Sequence, residues 1–294
     1  MKVKYGYGFV FDMRGFYADE RVDGALWNLK NPLYKWIFQY FKNKEKQFLT
    51  KADYIVSLTE NAKNEIHSWK YLQGQPLPIE VIPCCADMRH FNIANIDFIK
   101  QKELIKLLKL EQIDIILSYL GSFGTWYLPI EMFTFFKRML AVCPKSKFLI
   151  LSPDAEEDII KIADSCGLSK DYLIIKYAKR SEVPLYLSLS NLSIFFIKPT
   201  FSKKASSPTK QGETMALGIP VITNAGIGDT DMILNTTSTG YVINDFNDSN
   251  YEKAVLAIDS LLKIPKEQII EAANKFYSLE KGIEKYNSIY NKVK

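Results

Sequence analysis

Long apolar runs are missing from this 294-residue chain. None approaches the ~18 residues that crossing a bilayer requires. Met1-Lys2-Val3-Lys4 is not followed by the apolar block of a secretory leader. Cysteine is scarce: Cys84, Cys85, Cys143 and Cys166 show no metal-ligand spacing, and adjacent Cys84-Cys85 is a poor disulfide framework. These absences argue against spanning, disulfide-stapled and zinc-module classes, and they point to a reducing, cytoplasmic setting. The two histidines, His67 and His90, lie far apart and are assigned no chemistry. Strong charge is missing too, since the net is only +5, but its placement is uneven. Residues 1–110 hold 17 Lys and Arg against 12 Asp and Glu, and the remainder holds 21 of each. Such asymmetry suggests an anionic neighbour, either a membrane face or nucleic acid. No recognised nucleic-acid-binding motif accompanies the charge, so nucleic acid is the weaker option and is not counted among the partners.

What is present is core material, 47% hydrophobic, in an alternating β-α order. Strands are expected at Tyr5–Asp12, Tyr54–Leu58, Ile115–Leu120, 147–151, 172–176, Ser193–Ile197, Pro220–Thr223 and near Tyr241–Ile243. Helices are expected at Pro32–Thr50, Glu60–Trp69, Asp97–Leu110, Pro129–Leu140, 155–165, 181–190, 250–262, 265–277 and Ser278–Lys294. Met13–Arg21 and Ala225–Asp231 read as turns. Repeated β-α alternation means a parallel, doubly wound sheet. In the helix from Pro32, residues Tyr34, Ile37, Phe38, Phe41, Phe48 and Leu49 form an apolar stripe at helical spacing. Its other side interleaves Lys30, Lys35, Lys42, Lys44, Lys46 and Lys51 with Trp36 and Tyr40. That composition fits an interfacial membrane helix, although a solvated face on an ordinary core helix is the commoner case.

The most informative stretch is Leu192–Asn224. An apolar strand leads through a polar loop, Lys198–Ser206, into a short helix opened by Ser207-Pro208-Thr209-Lys210, and a second apolar strand follows. Ser207 suits the N-cap and Pro208 the first helical position. Gly218 suits a left-handed stop before Pro220. A strand feeding a helix with bare amides and a positive dipole end forms an anion site. Lys210 sits in that first turn, where the dipole disfavours a cation, and Glu213 lies on roughly the same face. Ammonium and carboxylate together suit the phosphates and vicinal hydroxyls of a nucleotide diphosphate. Ser-Pro-Thr as plain helix capping is the competing reading. Gly121-Ser122-Phe123-Gly124, after the strand at Ile115, permits close backbone approach to a ligand, though such turns also serve packing.

Residues Lys203 to Ile222 resemble the donor-binding segment of retaining, two-Rossmann (GT-B) glycosyltransferases of family 4. Ile79–Phe91 is similar to that family's interdomain linker, with Cys84 and Cys85 where an Asn-Gly turn is usual. The resemblance implies an α/β fold of GT-B type, with a complete carboxyl-terminal Rossmann-like domain at 93–277. It also implies a partial amino-terminal Rossmann-like domain with the linker at 1–92, and a helix at 278–294 crossing back to it. The implied activity moves a sugar from a nucleotide-diphosphate sugar to an acceptor hydroxyl with retention, in cell-surface polysaccharide or glycoconjugate assembly. No metal or cofactor is implied beyond the nucleotide-sugar substrate. The implied acceptor is a glycan or lipid-linked glycan, met in the cytoplasm or at the inner membrane face through peripheral contact.

By the same resemblance Lys210 and Arg14 carry catalysis. Gly121, Ser122, Phe123, Gly124, Tyr177, Ala178, Ser206, Ser207, Pro208, Thr209, Lys210 and Glu213 bind the donor, with Glu213 on the ribose and Tyr177 and Ala178 at the base. Asp12, Arg14 and Glu20 face the acceptor; an ordinary surface ion-pair cluster is their alternative reading. Three features depart from the family. Ala205 stands where its first motif glutamate belongs, and Ser122 and roughly Tyr127 stand where Arg and Lys are usual. Only about half of the amino-terminal domain precedes the linker, which suggests a fragment, a truncated frame or one half of a split enzyme. An inactive nucleotide-sugar-binding or partner-binding remnant is the alternative function.

Overall fold

Runs of β-branched and aromatic residues nucleate two separate parallel sheets. The structure is a computed structural model and describes residues 6–74 and 77–293. In the first sheet β1 (Val10–Met13), β2 (Tyr54–Ser57) and β3 (Ile79–Val81) lie in that order. Phe11 pairs with Ile55, and Ile55 with Ile79. The parallel sense requires helical crossovers. Helices α1 (Tyr17–Asp23) and α2 (Pro32–Lys51) supply the first, and α3 (Glu60–Ser68) the second.

After α4 (Phe98–Leu107) the second sheet forms. Its strands are β4 (Ile115–Leu120), β5 (Ser146–Leu151), β6 (Leu173–Lys176), β7 (Leu192–Phe195), β8 (Val221–Asn224) and β9 (Gly240–Ile243). Their spatial order is β6-β5-β4-β7-β8-β9, all parallel. Crossovers run through α5 (Pro129–Val142), α6 (Glu156–Ser165), α7 (Val183–Leu187), α8 (Thr209–Ala216) and α9 (Thr230–Thr237). Leu117, Tyr119, Phe148, Ile150, Ile194, Phe195, Val221 and Ile222 are buried on these strands, as expected where helices cover both faces. The chain moves outward from β4 to β6 and returns to β7 beside β4. This reversal is a topological switch point, where parallel sheets open a crevice at their strand ends.

Helices α10 (Asp248–Leu256), α11 (Ile258–Leu261), α12 (Lys266–Tyr277) and α13 (Leu279–Lys292) complete the chain. On α13, Ile289 packs with Val56 and Ile82 of the first sheet region, and Lys285 pairs with Glu80 at 2.8 Å. Between the sheets, the Thr59 hydroxyl donates to Lys204 O (2.6 Å), and the Asp229 carboxylate accepts from the amides of Glu60 and Asn61.

Several expectations need correction. The strand begins at Val10, with Tyr5 outside the described residues, and the polar turn at Met13–Arg21 instead forms α1 from Tyr17. Helix α9 occupies residues read as turn and coil, the 250–262 helix breaks at Ala257, and 181–190 shrinks to α7. The apolar stripe of α2 is only partly covered. Leu49 is buried and Phe48 exposed, while Tyr34, Ile37, Phe38 and Phe41 are half-buried. In place of an apolar residue the helix buries Glu45, held by Lys42 at 2.5 Å, and the same amine reaches Asp19 at 2.9 Å. A sheet of three strands is too narrow to lie under the whole helix. Leu33, Trp36 and Tyr40 remain exposed. Among the described residues no helix is long and apolar enough to cross a membrane.

Candidate active site

The switch point brings the ends of β4 and β7 together, and with them most of the expected residues. After Leu120 the backbone turns at Gly121 (φ +117°) and Gly124 (φ +46°), a region closed to most side chains. The segment then pairs with the extension of β7: Leu128 N–H donates to Phe196 O and Lys198 N–H to Trp126 O. Inside the turn Tyr119 stacks on Phe123 at 4.6 Å, and its hydroxyl donates to Ser122 O. The Asp154 carboxylate accepts from Ser122 Oγ (2.8 Å) and Phe123 N–H (2.7 Å). Burial opposes its ionisation, but these bonds and one involving Ser152 outweigh burial and hold the carboxyl below its ordinary range. Two donors expected to face a ligand are therefore already bound to a residue the sequence did not single out.

Lys210 reaches into this turn from α8. Its nitrogen is fully covered, although the side chain as a whole is only half-buried, and it has no hydrogen-bond partner. It lies 3.6 Å from the centroid of the Tyr127 ring and 4.2 Å from that of Tyr119. A Cβ built on Gly121 would stand 3.1 Å from it. Loss of water pushes the amine down to about 7, with Glu213 acting weakly the other way. An unpartnered amine between two ring faces attracts a desolvated anion. The family-derived Lys and Arg positions hold no cation here; Tyr127 instead supplies a ring face to Lys210.

Glu213 is buried on the same helix, and Arg180 Nη1 lies 2.5 Å from its Oε1. Tyr177 is exposed just beyond β6 and Ala178 half-buried beside it. Arg180, two residues further on, had no signal in periodicity or spacing.

The start of α8 differs by one residue from expectation. Thr209 opens the helix, Pro208 precedes it, and no side chain caps it. The Ser207 hydroxyl accepts from Cys84 N–H at 3.1 Å, tying the linker to the site instead of capping. Ser206 N–H donates to Lys203 O, and Pro208 has none to offer, so the free first-turn amides begin at Thr209. Gly218 ends the segment in the left-handed region, φ +71°.

Ser206–Thr209 line a cleft of about 300 Å³ together with Arg14, Glu20, Trp126, Tyr127 and Lys203. Glu20 pairs with Lys203 at 2.7 Å. That lysine is buried with its nitrogen 3.6 Å from the centroid of the Trp126 ring, a second cation the sequence did not mark. Arg14 pairs with Asp12 at 3.2 Å, and Tyr286 of α13 donates to Asp12 at 3.1 Å. Its bond with Tyr286 and the charge of Asp12 hold Arg14 above its ordinary range, so it stays a cation. Ala205 is buried in the core of the first sheet. Among the described residues no three His, Cys, Asp or Glu are grouped to hold a metal ion.

Residues 100–276 match the family described as Glycosyl transferases group 1. No curated protein matches the chain. Similar solved structures include a sucrose-phosphate synthase from Thermosynechococcus elongatus, at 17% identity and TM-score 0.63, covering 84% of this chain and 60% of that one. A glycosyltransferase from Rickettsia africae aligns at 15% identity and TM-score 0.69, covering 97% and 70% respectively. HepE from Anabaena, solved with UDP and glucose, aligns at 11% and 0.65, covering 99% and 73%. The likeness is one of fold, the GT-B arrangement of parallel sheets. The chain spans 60% of the length of the synthase and 70% of the Rickettsia structure.

Proposed function

The chain belongs to the group 1 glycosyl transferases, and from that membership we propose that it is a family 4-type retaining enzyme using a nucleotide-diphosphate sugar. The observation that carries the reading is the covered, unpartnered Lys210 nitrogen beside Gly121 at the uncapped start of α8. A diphosphate seated there would meet the amides of Thr209 and Lys210, and the ammonium once it moves out from between the Tyr119 and Tyr127 rings, with Glu213 three residues onward to accept from ribose hydroxyls. Tyr177 and Ala178 would border the base. HepE, of the same fold, was solved with UDP and glucose, which supports a nucleotide-sugar donor.

In this reading the bond between the sugar's anomeric carbon and the diphosphate oxygen breaks, and one to the acceptor oxygen forms on the same face. The acceptor proton passes to the departing diphosphate. The chain's own task is to stabilise the charge growing there, which a single well-aimed donor does by several kcal/mol. Lys210 is the first such donor. Arg14, kept charged in the cleft, is the second, and Asp12 and Glu20 flank the acceptor. The proposal includes no metal or cofactor. Its setting is cell-surface polysaccharide or glycoconjugate assembly on the cytoplasmic side, with a glycan or lipid-linked glycan as acceptor. Exposed Leu33, Trp36 and Tyr40 beside Lys30 and Lys35 offer a peripheral contact to anionic lipid; no binding to phosphatidylserine vesicles at low salt would remove that part.

The test is proton linkage. A diphosphate would lift Lys210 from about 7 back to a normal lysine, so binding above pH 7 takes up close to one proton. Calorimetry of UDP, GDP and ADP in buffers of different ionisation heat reads this directly. Binding without uptake at pH 8 would overturn the role of Lys210, and no release of nucleoside diphosphate from donor and acceptor would overturn the activity.

A further inference from the structure

The nucleotide site as proposed leaves one of its own side chains unused. Arg180 follows the end of β6, and its guanidinium rests against the only carboxylate on α8, 2.5 Å from Glu213 Oε1. The two differ sharply in exposure: the Arg180 side chain is 60% exposed and that of Glu213 only 5%. Arg180 also lies over the Phe91 ring at 4.7 Å, and His90 Nε2 is 2.8 Å from its carbonyl oxygen. Both neighbours belong to the segment joining the two sheets.

We propose that Arg180 gates donor affinity by occupying, in the ligand-free chain, the carboxylate oxygen that ribose hydroxyls must reach. This inference rests on the reading of Glu213 as the ribose acceptor. A carboxylate this deeply set has little surface to share. The guanidinium, largely in solvent, is free to swing away once a competing donor arrives. The nucleotide therefore binds a form in which the Arg180–Glu213 pair is open, and its affinity is reduced by the fraction of time that form is populated. Resting on Phe91, the same guanidinium connects the joining segment to donor occupancy.

Calorimetry on Arg180→Ala, Arg180→Lys, Glu213→Gln and the double variant Arg180→Ala/Glu213→Gln tests the gate, with UDP, GDP and ADP as ligands and inorganic pyrophosphate as the ribose-free control. For a pair with its cation largely in solvent, Arg180→Ala should tighten nucleoside diphosphate binding roughly two- to fivefold. Arg180→Lys should fall between it and wild type, and pyrophosphate binding should not change. In the Glu213→Gln background the alanine substitution should do nothing. Weaker or unchanged nucleotide binding by Arg180→Ala overturns the gate, as does an equal gain for pyrophosphate or a gain that persists without the Glu213 charge. Failure of every nucleotide to bind both wild type and Arg180→Ala overturns the nucleotide reading itself, and the gate with it.

Discussion

Replacing Lys210 with methionine should make the ligand-free protein more stable while removing donor binding. The lysine nitrogen is fully covered without a hydrogen-bond partner, and its ionisation falls from 10.5 to about 7. A group whose folded value lies below its unfolded one costs most when the unfolded chain is charged. The cost is full below pH 7 and disappears as pH rises from 7 to 10.5. At pH 7 that shift corresponds to about 4 kcal/mol. The two tyrosine faces attract the cation and offset about 1–2 kcal/mol. The first-turn dipole, which repels it, returns a few tenths of that. Methionine matches the stem in shape and suits the rings. Lys210→Met is therefore expected to gain about 2 kcal/mol at pH 7, a rise in Tm of roughly 4–6 °C. The gain should shrink steadily toward pH 10.5, above which the wild-type amine is increasingly neutral in either state. Thermal unfolding across pH 6–10, paired with diphosphate calorimetry, reads both effects. A variant no more stable than wild type at pH 7, or a gap that does not narrow with pH, would refute the account of a desolvated, unpartnered ammonium.

Glu213→Ala should weaken nucleoside diphosphate binding at least about tenfold, since hydrogen bonds to a charged group contribute roughly 1.5–3 kcal/mol; unchanged calorimetry would count against a ribose contact. Gly121→Ala adds a Cβ 3.1 Å from the Lys210 nitrogen at φ +117°, so urea unfolding should show a loss of about 1–3 kcal/mol together with weaker donor binding. Glu20→Ala strands Lys203, which is buried against Trp126. Because Glu20 is itself partly exposed, the expected loss is about 1–2 kcal/mol, less than for a fully buried pair, and Lys203→Met should cost less than Glu20→Ala.

Periodicity located most of the strands and helices, because burial between two helical layers demands near-continuous apolar strands and imposes 3.6-residue spacing on the helices. It failed where tertiary contacts decided. Tyr17–Asp23 is helical because it packs against the Phe201–Ala205 turn and α2, although its polar residues read as a turn. Phe48 meets Phe11 of β1 at 5.3 Å yet stays exposed, because β1 is the edge strand of the three-stranded sheet, which no helical wheel records.

For the site, the chain itself determined which chemical groups stand at a strand-loop-helix junction: an ammonium, a carboxylate three residues on, and glycines that admit a positive φ. Local sequence decides these because capping, dipole and backbone sterics act within a few residues. The fold alone decided what meets them. Tyr119 and Tyr127 meet Lys210 because β4 and β7 become neighbours at the sheet's reversal, Asp154 reaches the turn after β4 because β5 pairs with β4, and Arg180 reaches Glu213 from the end of another strand. Contacts between residues tens of positions apart depend on strand order, and strand order is a property of packing that no short stretch of the chain encodes.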